Sequence, residues 1–263
     1  MNECIDRRVF GAIEFVDDLT GARVLQTLNV TGPAGMKLLR NRSGLYVIRE
    51  LEGEDDYTHQ FDAAPTHPVR LPFTLSVQDP QARYLPQSFS LSLPRLLNAP
   101  GLPVDNADNV LRPLSIRLLP GVAQPLRATW AVLRLQVVVA GSVPPVGLVN
   151  VLVEASPSVA GLGLRRTLTD RHGEALLIIA DAPPILPHSG PKGLTREFKV
   201  SISLVLDASV VRTSTDKIYP LPDMTLIQQR RAAGADAVRV VSASEQLLCA
   251  GLSRRAVQKV TWP

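Results

Sequence analysis

The stretch LPFTLSVQDPQARYLPQSFSLSL, residues 71–93, shows most clearly which kind of fold this chain adopts. Apolar side chains occupy alternate positions from Leu71 to Val77 and again from Phe89 to Leu93. This period of two is typical of strands with one buried face, because successive side chains of a strand point to opposite faces. Asp79 and Pro80 favour a turn between the two halves. The stretch therefore predicts a β-hairpin.

The composition extends this prediction to the whole chain. The 263 residues include 22 prolines but only six phenylalanines, four tyrosines and two tryptophans, and 45% of the residues are hydrophobic. Proline breaks helix interiors and central strands, so this many prolines favour short extended segments joined by rigid turns. The hydrophobic fraction is too high for an intrinsically disordered chain. We therefore expect a folded, all-β protein.

The distribution of proline and glycine predicts two β-sandwich domains in tandem. Residues 98–125 combine five prolines and two glycines with a polar patch, which is typical of an interdomain segment. A short strand is expected inside it, from Leu114 to Leu118. The predicted boundaries are 1–98 for the first sandwich, 99–125 for the linker, 126–209 for the second sandwich and 210–263 for a carboxy-terminal arm.

The carboxy-terminal arm is predicted to be mostly extended, to contain at most a short helix, and to lie outside both sandwiches. Its hydrophobic periodicity is poor. From Met224 onward it has six Arg or Lys and two Asp or Glu, an excess equal to the whole net charge of +4. Ser242 and Glu245 have the spacing of a capping box, so the short helix is expected to begin there.

The end of this arm supplies the candidate partner-binding residues, which are Trp262, Val260, Arg254 and Arg255. Trp262 is the expected anchor, because a large aromatic side chain buried at an interface can contribute about 2 kcal/mol or more. The alternative is that Trp262 folds back into the core of the second domain. A basic arm favours an acidic protein partner, and nucleic acid is disfavoured because no aromatic residues alternate with the basic ones.

Two polar turns resemble each other within the chain. Asn41–Gly44 and Asp170–Gly173 each close on a glycine and open directly into a predicted strand. Either the two domains are copies of one another, or the likeness reflects the limited set of β-turn sequences.

Two blocks of the second domain carry a family resemblance. The sequences PVGLVNV at residues 145–151 and TLTDRHG at residues 167–173 resemble the carboxypeptidase regulatory-like, transthyretin-type β-sandwich. The family pattern is P-V-x-G-a-x-V followed by T-D-x-x-G, and this chain departs from it because Gly147 directly follows Val146. The resemblance implies a domain that supports or displays other parts of a protein rather than a catalyst.

The first domain resembles accessory proteins of phage-tail-like contractile injection systems. The resemblance rests on FVDDLTG at residues 15–21, RNRSGLYV at residues 40–47 and DPQARYLP at residues 79–86. These are turn and strand sequences without a chemical motif. The resemblance therefore implies membership of a larger particle and assigns no functional residue.

The sequence predicts no catalytic, cofactor-binding or metal site. The four histidines, at positions 59, 67, 172 and 188, show no metal-ligand spacing, and His172 is expected to be a solvated turn residue. Cys4 and Cys249 are far apart and are expected to be reduced thiols. The nucleophile elbow, the dinucleotide-binding glycine pattern and the phosphate loop are all missing from the sequence.

These observations predict a non-catalytic structural or assembly protein whose partners are other protein subunits. The alternative is a glycan-binding or adhesive module, which exposed aromatic side chains on one sandwich face would favour. The first residues lack the basic start and long apolar run of a signal peptide, and no apolar stretch approaches the roughly 20 residues that span a bilayer. We therefore expect a cytoplasmic protein that does not insert into a membrane.

Overall fold

The computed structural model describes residues 9–53, 70–95, 109–183 and 197–262. Strands account for 48% of the residues and helix for 4%, so the prediction of an all-β fold is confirmed. The chain divides into two compact units. The first holds the described residues up to Leu118 except 18–20 and 81–86, which belong with the residues from Leu119 onward in the second unit.

Seven strands form the described part of the first unit. They are β1 (Gly11–Asp17), β2 (Asn29–Thr31), β3 (Lys37–Arg40), β4 (Tyr46–Glu50), β5 (Leu71–Gln78), β6 (Gln87–Leu93) and β7 (Leu114–Leu118). One sheet has the order β3-β4-β1-β7 and the other has the order β2-β5-β6. The predicted hairpin is present, because β5 and β6 pair antiparallel with Leu71 opposite Leu93.

Aromatic rings join the two sheets of the first unit. The ring of Phe15 on β1 meets Tyr46 on β4 and Phe89 on β6 edge to face, with centroids 5.4 and 5.9 Å apart. The buried Tyr46 hydroxyl donates to the Leu28 carbonyl oxygen at 2.9 Å and accepts from the Leu28 amide at 2.8 Å. A buried hydroxyl without partners would be costly, so these bonds let an aromatic polar residue serve as core.

The second unit contains ten described strands and one described helix. They are β8 (Ala131–Val139), β9 (Leu148–Val149), β10 (Leu152–Pro157), β11 (Arg165–Leu168), β12 (Glu174–Ile179), β13 (Glu197–Asp207), β14 (Arg212–Thr213), α1 (Met224–Ala232), β15 (Val238–Ser242), β16 (Gln246–Cys249) and β17 (Ser253–Val260). The largest sheet has the order β11-β10-β13-β15, with β16 also pairing with β13. A second sheet has the order β12-β8-β17, and β14 pairs with β9.

A single core fills the space between the two larger sheets of the second unit. Alternate residues of β8 and β12 pack against alternate residues of β10 and β13, as expected for two sheets that face each other. The opposite face of the β13 sheet is covered by α1, whose Ile227 is buried against Leu152 and Val205. This arrangement is sandwich-like, with a helix on one outer face.

The two sequence blocks behind the family resemblance lie against each other in this unit. The Thr169 hydroxyl donates to the Leu148 carbonyl oxygen at 2.6 Å and accepts from the Val151 amide at 2.8 Å. Gly147 lies so close to the turn that a Cβ added to it would be 2.3 Å from the carbonyl oxygen of His172. The motif residues are therefore explained by backbone packing, and the family relationship stays a prediction.

The prediction of an arm outside both sandwiches is wrong. Within residues 210–263, β15 and β16 pair antiparallel with β13, and β17 pairs parallel with β8 along all eight of its residues. These strands carry many polar residues because they lie at sheet edges, where one side of the strand faces water. Their hydrophobic periodicity is weak for that reason, and their long-range pairing has no local signal.

The predicted position of the short helix is also wrong. Ser242 is the last residue of β15 and residues 243–245 connect it to β16. Instead, α1 begins after Asp223, whose Oδ1 accepts from the amides of Thr225 at 2.9 Å and Leu226 at 3.1 Å. The signal was present in the sequence, since Asp223 is a good N-cap residue and Gly234, with φ +65°, follows the helix end.

The expected strand from Leu114 to Leu118 has those bounds and pairs parallel with β1 in the first unit. Leu119, the next residue, is buried in a cluster of the second unit. The described part of the predicted linker, residues 109–125, is therefore packed into the two units rather than free of them.

Candidate functional site

The outer face of the β12-β8-β17 sheet brings two arginines together. Parallel pairing of β17 with β8 places Arg255 directly beside Arg134, and Leu176 of β12 lies beside Arg134 on its other side. Together with Val122 and Val257, these residues line a cavity of about 340 Å³. Neighbouring positions in paired strands lie on the same face, so both guanidinium groups belong to one surface.

Neither arginine has a partner within the part of the chain that the structure describes. Arg134 is partly buried and Arg255 is exposed, and neither forms an ion pair or a side-chain hydrogen bond with a described residue. Glu174, the acid in the cavity wall, lies beside Gln136 and forms no ion pair with a described arginine. The cavity therefore presents guanidinium donors that an anionic group could bind.

The outer edge of β17 is open among the described residues. Among the strands that the structure describes, β17 lies at one end of the β12-β8-β17 sheet and pairs only with β8. Val257, in the middle of this strand, is 61% exposed. Arg255 and Lys259, two positions away on either side, place a positive charge on the same face. An exposed edge of eight residues provides a row of backbone donors and acceptors for another strand.

The structure places the four sequence-predicted partner residues in different environments. Val260 is only 3% exposed and belongs to the core, so the prediction that it contacts a partner is wrong. Trp262 is partly buried against the same core, which is the alternative that the sequence left open. Arg254 forms an ion pair with Glu197. Arg255 is the member of the set that lines the cavity.

Sequence reasoning missed Arg134. Its strand reads AVLRLQVVV, in which Arg134 and Gln136 interrupt an otherwise apolar run. A charged residue at such a position signals a face that is not fully covered. The signal could have identified Arg134 as accessible, but its position beside Arg255 depends on the pairing of strands more than 100 residues apart in sequence.

A second group of charges lies on the outer face of the β13 sheet and has a different character. The Glu154 side chain is 4% exposed, accepts from Arg166 Nε at 2.9 Å, and is also bonded to Arg231 of α1. Burial alone raises the pKa of Glu154, but hydrogen bonds from Arg166 and Arg231 and their positive charges bring the pKa below its usual value.

Asp207 is held in the same way at the other end of this face. Its side chain is 1% exposed, and Arg230 Nη1 donates to Asp207 Oδ2 at 3.1 Å. Burial raises the pKa of Asp207, and hydrogen bonds from the Ser209 hydroxyl and amide together with Arg230 lower the pKa below its usual value. Because both acids are saturated with partners, they anchor α1 and offer no free group for chemistry.

The other candidate chemistry of the sequence has no support in the described residues. His172 lies in an exposed turn, where its Nε2 accepts from Arg171 Nε at 3.0 Å. No group of three or more metal-ligating side chains occurs among the residues that the structure describes. Cys249 is buried, and Cys4, His59, His67 and His188 lie outside the described residues.

The described residues offer neither a membrane-spanning helix nor an exposed aromatic platform for a glycan. Within the described ranges, no helix is long and apolar enough to cross a membrane. Every aromatic side chain in those ranges is buried or partly buried, so none forms the exposed platform on which a sugar ring stacks.

Comparison with known proteins adds no relative to this picture. No family model, no curated protein and no solved structure matches the chain.

Proposed function

We propose that this protein is a non-catalytic structural component of a larger assembly, which binds neighbouring protein subunits through the free edge of β17. The proposal includes synthesis in the cytoplasm and, in line with the sequence resemblance of the first domain, a place in a phage-tail-like contractile injection particle. The carboxypeptidase regulatory-like resemblance of the second domain supports the same role, since such domains support or display.

One observation carries the proposal. An eight-residue edge strand lies open beside two arginines that have no partner among the described residues. Strand addition to an exposed edge is a recurring mode of protein recognition, in which backbone hydrogen bonds supply affinity and alternate side chains supply specificity. Unpaired charges next to the edge add a means of choosing the partner.

The test is to recover the full chain from its native host and identify what co-sediments with it. We expect the chain in a complex of high mass at native abundance. Arg255→Glu with Val257→Lys should release it, because the double change reverses one charge and places another at the middle of the edge. Arg42→Glu is the matched control, since Arg42 is an exposed arginine of the first unit.

Recovery of the wild-type chain as a lone monomer would overturn the assembly role. Release of the chain by Arg42→Glu to the same extent would overturn the role of β17. The glycan-binding alternative gains no support, because the described aromatic side chains do not form an exposed platform.

A further inference from the structure

The two faces of β17 carry different side chains. Arg254, Ala256, Gln258 and Val260 lie in register with Leu133, Leu135, Val137 and Val139 of β8, three of which belong to the buried core and the last of which packs against it. The other face of β17 presents Arg255, Val257 and Lys259. Along the open edge, a neighbouring strand would therefore meet a cation, an apolar side chain and a second cation on one face.

We propose that the partner segment is an acidic, extended segment of another protein that adds to β17 as a fourth strand of this sheet. Its residues on the outer face are acidic, apolar and acidic at alternate positions, opposite Arg255, Val257 and Lys259. This inference rests on the proposed function and names the class of partner that the β17 edge takes.

The spacing of strands supports direct recognition of the carboxylates. An added strand lies about 4.8 Å from β17, so its acidic side chain would stand directly beside Arg255. Arg134 lies one strand further in and reaches into the same cavity, where its partial burial reduces screening by water. Two guanidinium groups can bind carboxylate oxygens in a bidentate manner, which fixes register as well as charge.

Charge also argues against the simplest competing occupant, a second copy of β17 paired edge to edge. Such a pair would bring Arg255, Val257 and Lys259 of both copies onto neighbouring strands. Like charges at neighbouring positions are destabilising, and Arg134 already stands beside Arg255 within one chain. Opposite charge on the incoming strand removes this repulsion, so a partner of acidic pattern fits the edge better.

A pair of seven-residue peptides tests both charge and register. The matched peptide has Glu at its second and sixth positions, Val at the fourth and Thr elsewhere, so that its apolar and acidic side chains share one face in either strand direction. The control peptide has the same composition with the acids at the second and fifth positions, which lie on opposite faces. Binding of each labelled peptide to the full chain is measured by fluorescence anisotropy.

We expect the matched peptide to bind more tightly than the control peptide. Arg255→Glu should weaken its binding by at least about tenfold, and Arg134→Gln should weaken it to a smaller extent. Arg42→Glu should leave binding unchanged. Melting temperatures of all three variants show whether each is folded, and a loss of binding is interpreted only for variants that are folded.

Backbone hydrogen exchange distinguishes strand addition from binding by charge attraction alone. Strand addition should protect amides of residues 253–260 when the matched peptide is present, because the added strand forms hydrogen bonds with the edge. Equal binding of both peptides, or binding without protection of these amides, would overturn the inference. Tighter binding of a 20-nucleotide single-stranded DNA than of the matched peptide would overturn it as well.

The outcomes separate this inference from the proposed function. If the chain co-sediments with other subunits and Arg255→Glu with Val257→Lys releases it, but the matched peptide does not bind, the assembly role stands and the acidic strand is wrong. If the matched peptide binds in register while the native chain is a lone monomer, the recognition site stands and the assembly role is wrong.

Discussion

The outer faces of the two larger sheets in the second unit use arginine in opposite ways. On the β13 sheet, Arg166 and Arg231 bond to the buried Glu154, and Arg230 bonds to the buried Asp207. On the β12-β8-β17 sheet, Arg134 and Arg255 stand side by side, and neither forms an ion pair with a described acid. A buried acid requires its cation, whereas an accessible arginine costs little when unpaired and remains available to a partner. The first face therefore contributes stability, and the second is the face on which the proposed recognition rests.

The largest expected effect is on stability and comes from removing the ion pairs on the β13 sheet. Replacing Arg230→Ala and Arg231→Ala together should lower the free energy of unfolding by about 3 kcal/mol, because two buried carboxylates lose a cation each. Alanine retains helix propensity, so the loss reports the ion pairs rather than α1 itself. Denaturant unfolding measures it. The matched control, Arg134→Ala with Arg255→Ala, should change stability by no more than about 0.5 kcal/mol, and an equal loss in both variants would abolish the comparison.

A second prediction compares the two sides of β17 itself. Val260→Ala should lower the free energy of unfolding by about 2 kcal/mol, because Val260 lies in the core. Val257→Ala should change it by no more than about 0.5 kcal/mol, since Val257 is mostly exposed. Thermal or denaturant unfolding of the full chain distinguishes them. A neutral Val260→Ala would restore the idea that the end of the chain is free to contact a partner.

The pH dependence of stability sharpens the contrast between the faces. The pKa values of Glu154 and Asp207 are lowered in the folded state, so the folded protein favours their ionised forms. Their contribution to stability is complete above the usual pKa values and is lost as pH falls through them toward the lower folded values. Unfolding midpoints measured between neutral and acidic pH should fall less steeply in the Arg230→Ala, Arg231→Ala variant than in wild type. Equal slopes in the two proteins would contradict the conclusion that Arg230 and Arg231 lower the pKa values of Asp207 and Glu154.

The smallest expected effect concerns the unpaired arginines. Arg255→Gln should raise the melting temperature slightly at low salt, because it removes repulsion with Arg134 of a few tenths of a kcal/mol. High salt screens this repulsion, so the difference from wild type should disappear there. Arg42→Gln serves as the control. A fall in melting temperature for Arg255→Gln at low salt would mean that Arg255 has a stabilising partner within the chain.

Local pattern was sufficient where pairing was local. The alternation in residues 71–93 predicted β5 and β6 closely, because strand neighbours joined by a turn share one hydrophobic pattern. The short run from Leu114 to Leu118 predicted the bounds of β7, but its parallel pairing with β1 had no local signal. The capping signal at Asp223 was equally local, but the spacing of Ser242 and Glu245 competed with it. Ser242 and Glu245 lie at the connection between the edge strands β15 and β16, so the capping-box spacing alone did not locate the helix.

The candidate site could be predicted only in part. The basic character of the chain end drew attention to Arg254 and Arg255, and the structure leaves Arg255 at the cavity while Arg254 pairs with Glu197. Val260 reads as an exposed apolar tip in sequence, but parallel pairing opposite Val139 buries it. The strands β8 and β17 are more than 100 residues apart, so no short stretch of sequence contains both. Their register could therefore not be predicted from local pattern.

The sequence by itself determined the all-β class, the positions of the local hairpin and turns, and the basic end of the chain, because each depends on side-chain period, turn chemistry or charge within a few residues. The tertiary structure decided that β15, β16 and β17 complete sheets of the second unit, and that Arg134 and Arg255 become neighbours. The physical reason is that strand pairing is set by burial of one face against distant residues. That long-range pairing also places Arg134 and Arg255 on a face where neither has a partner among the described residues.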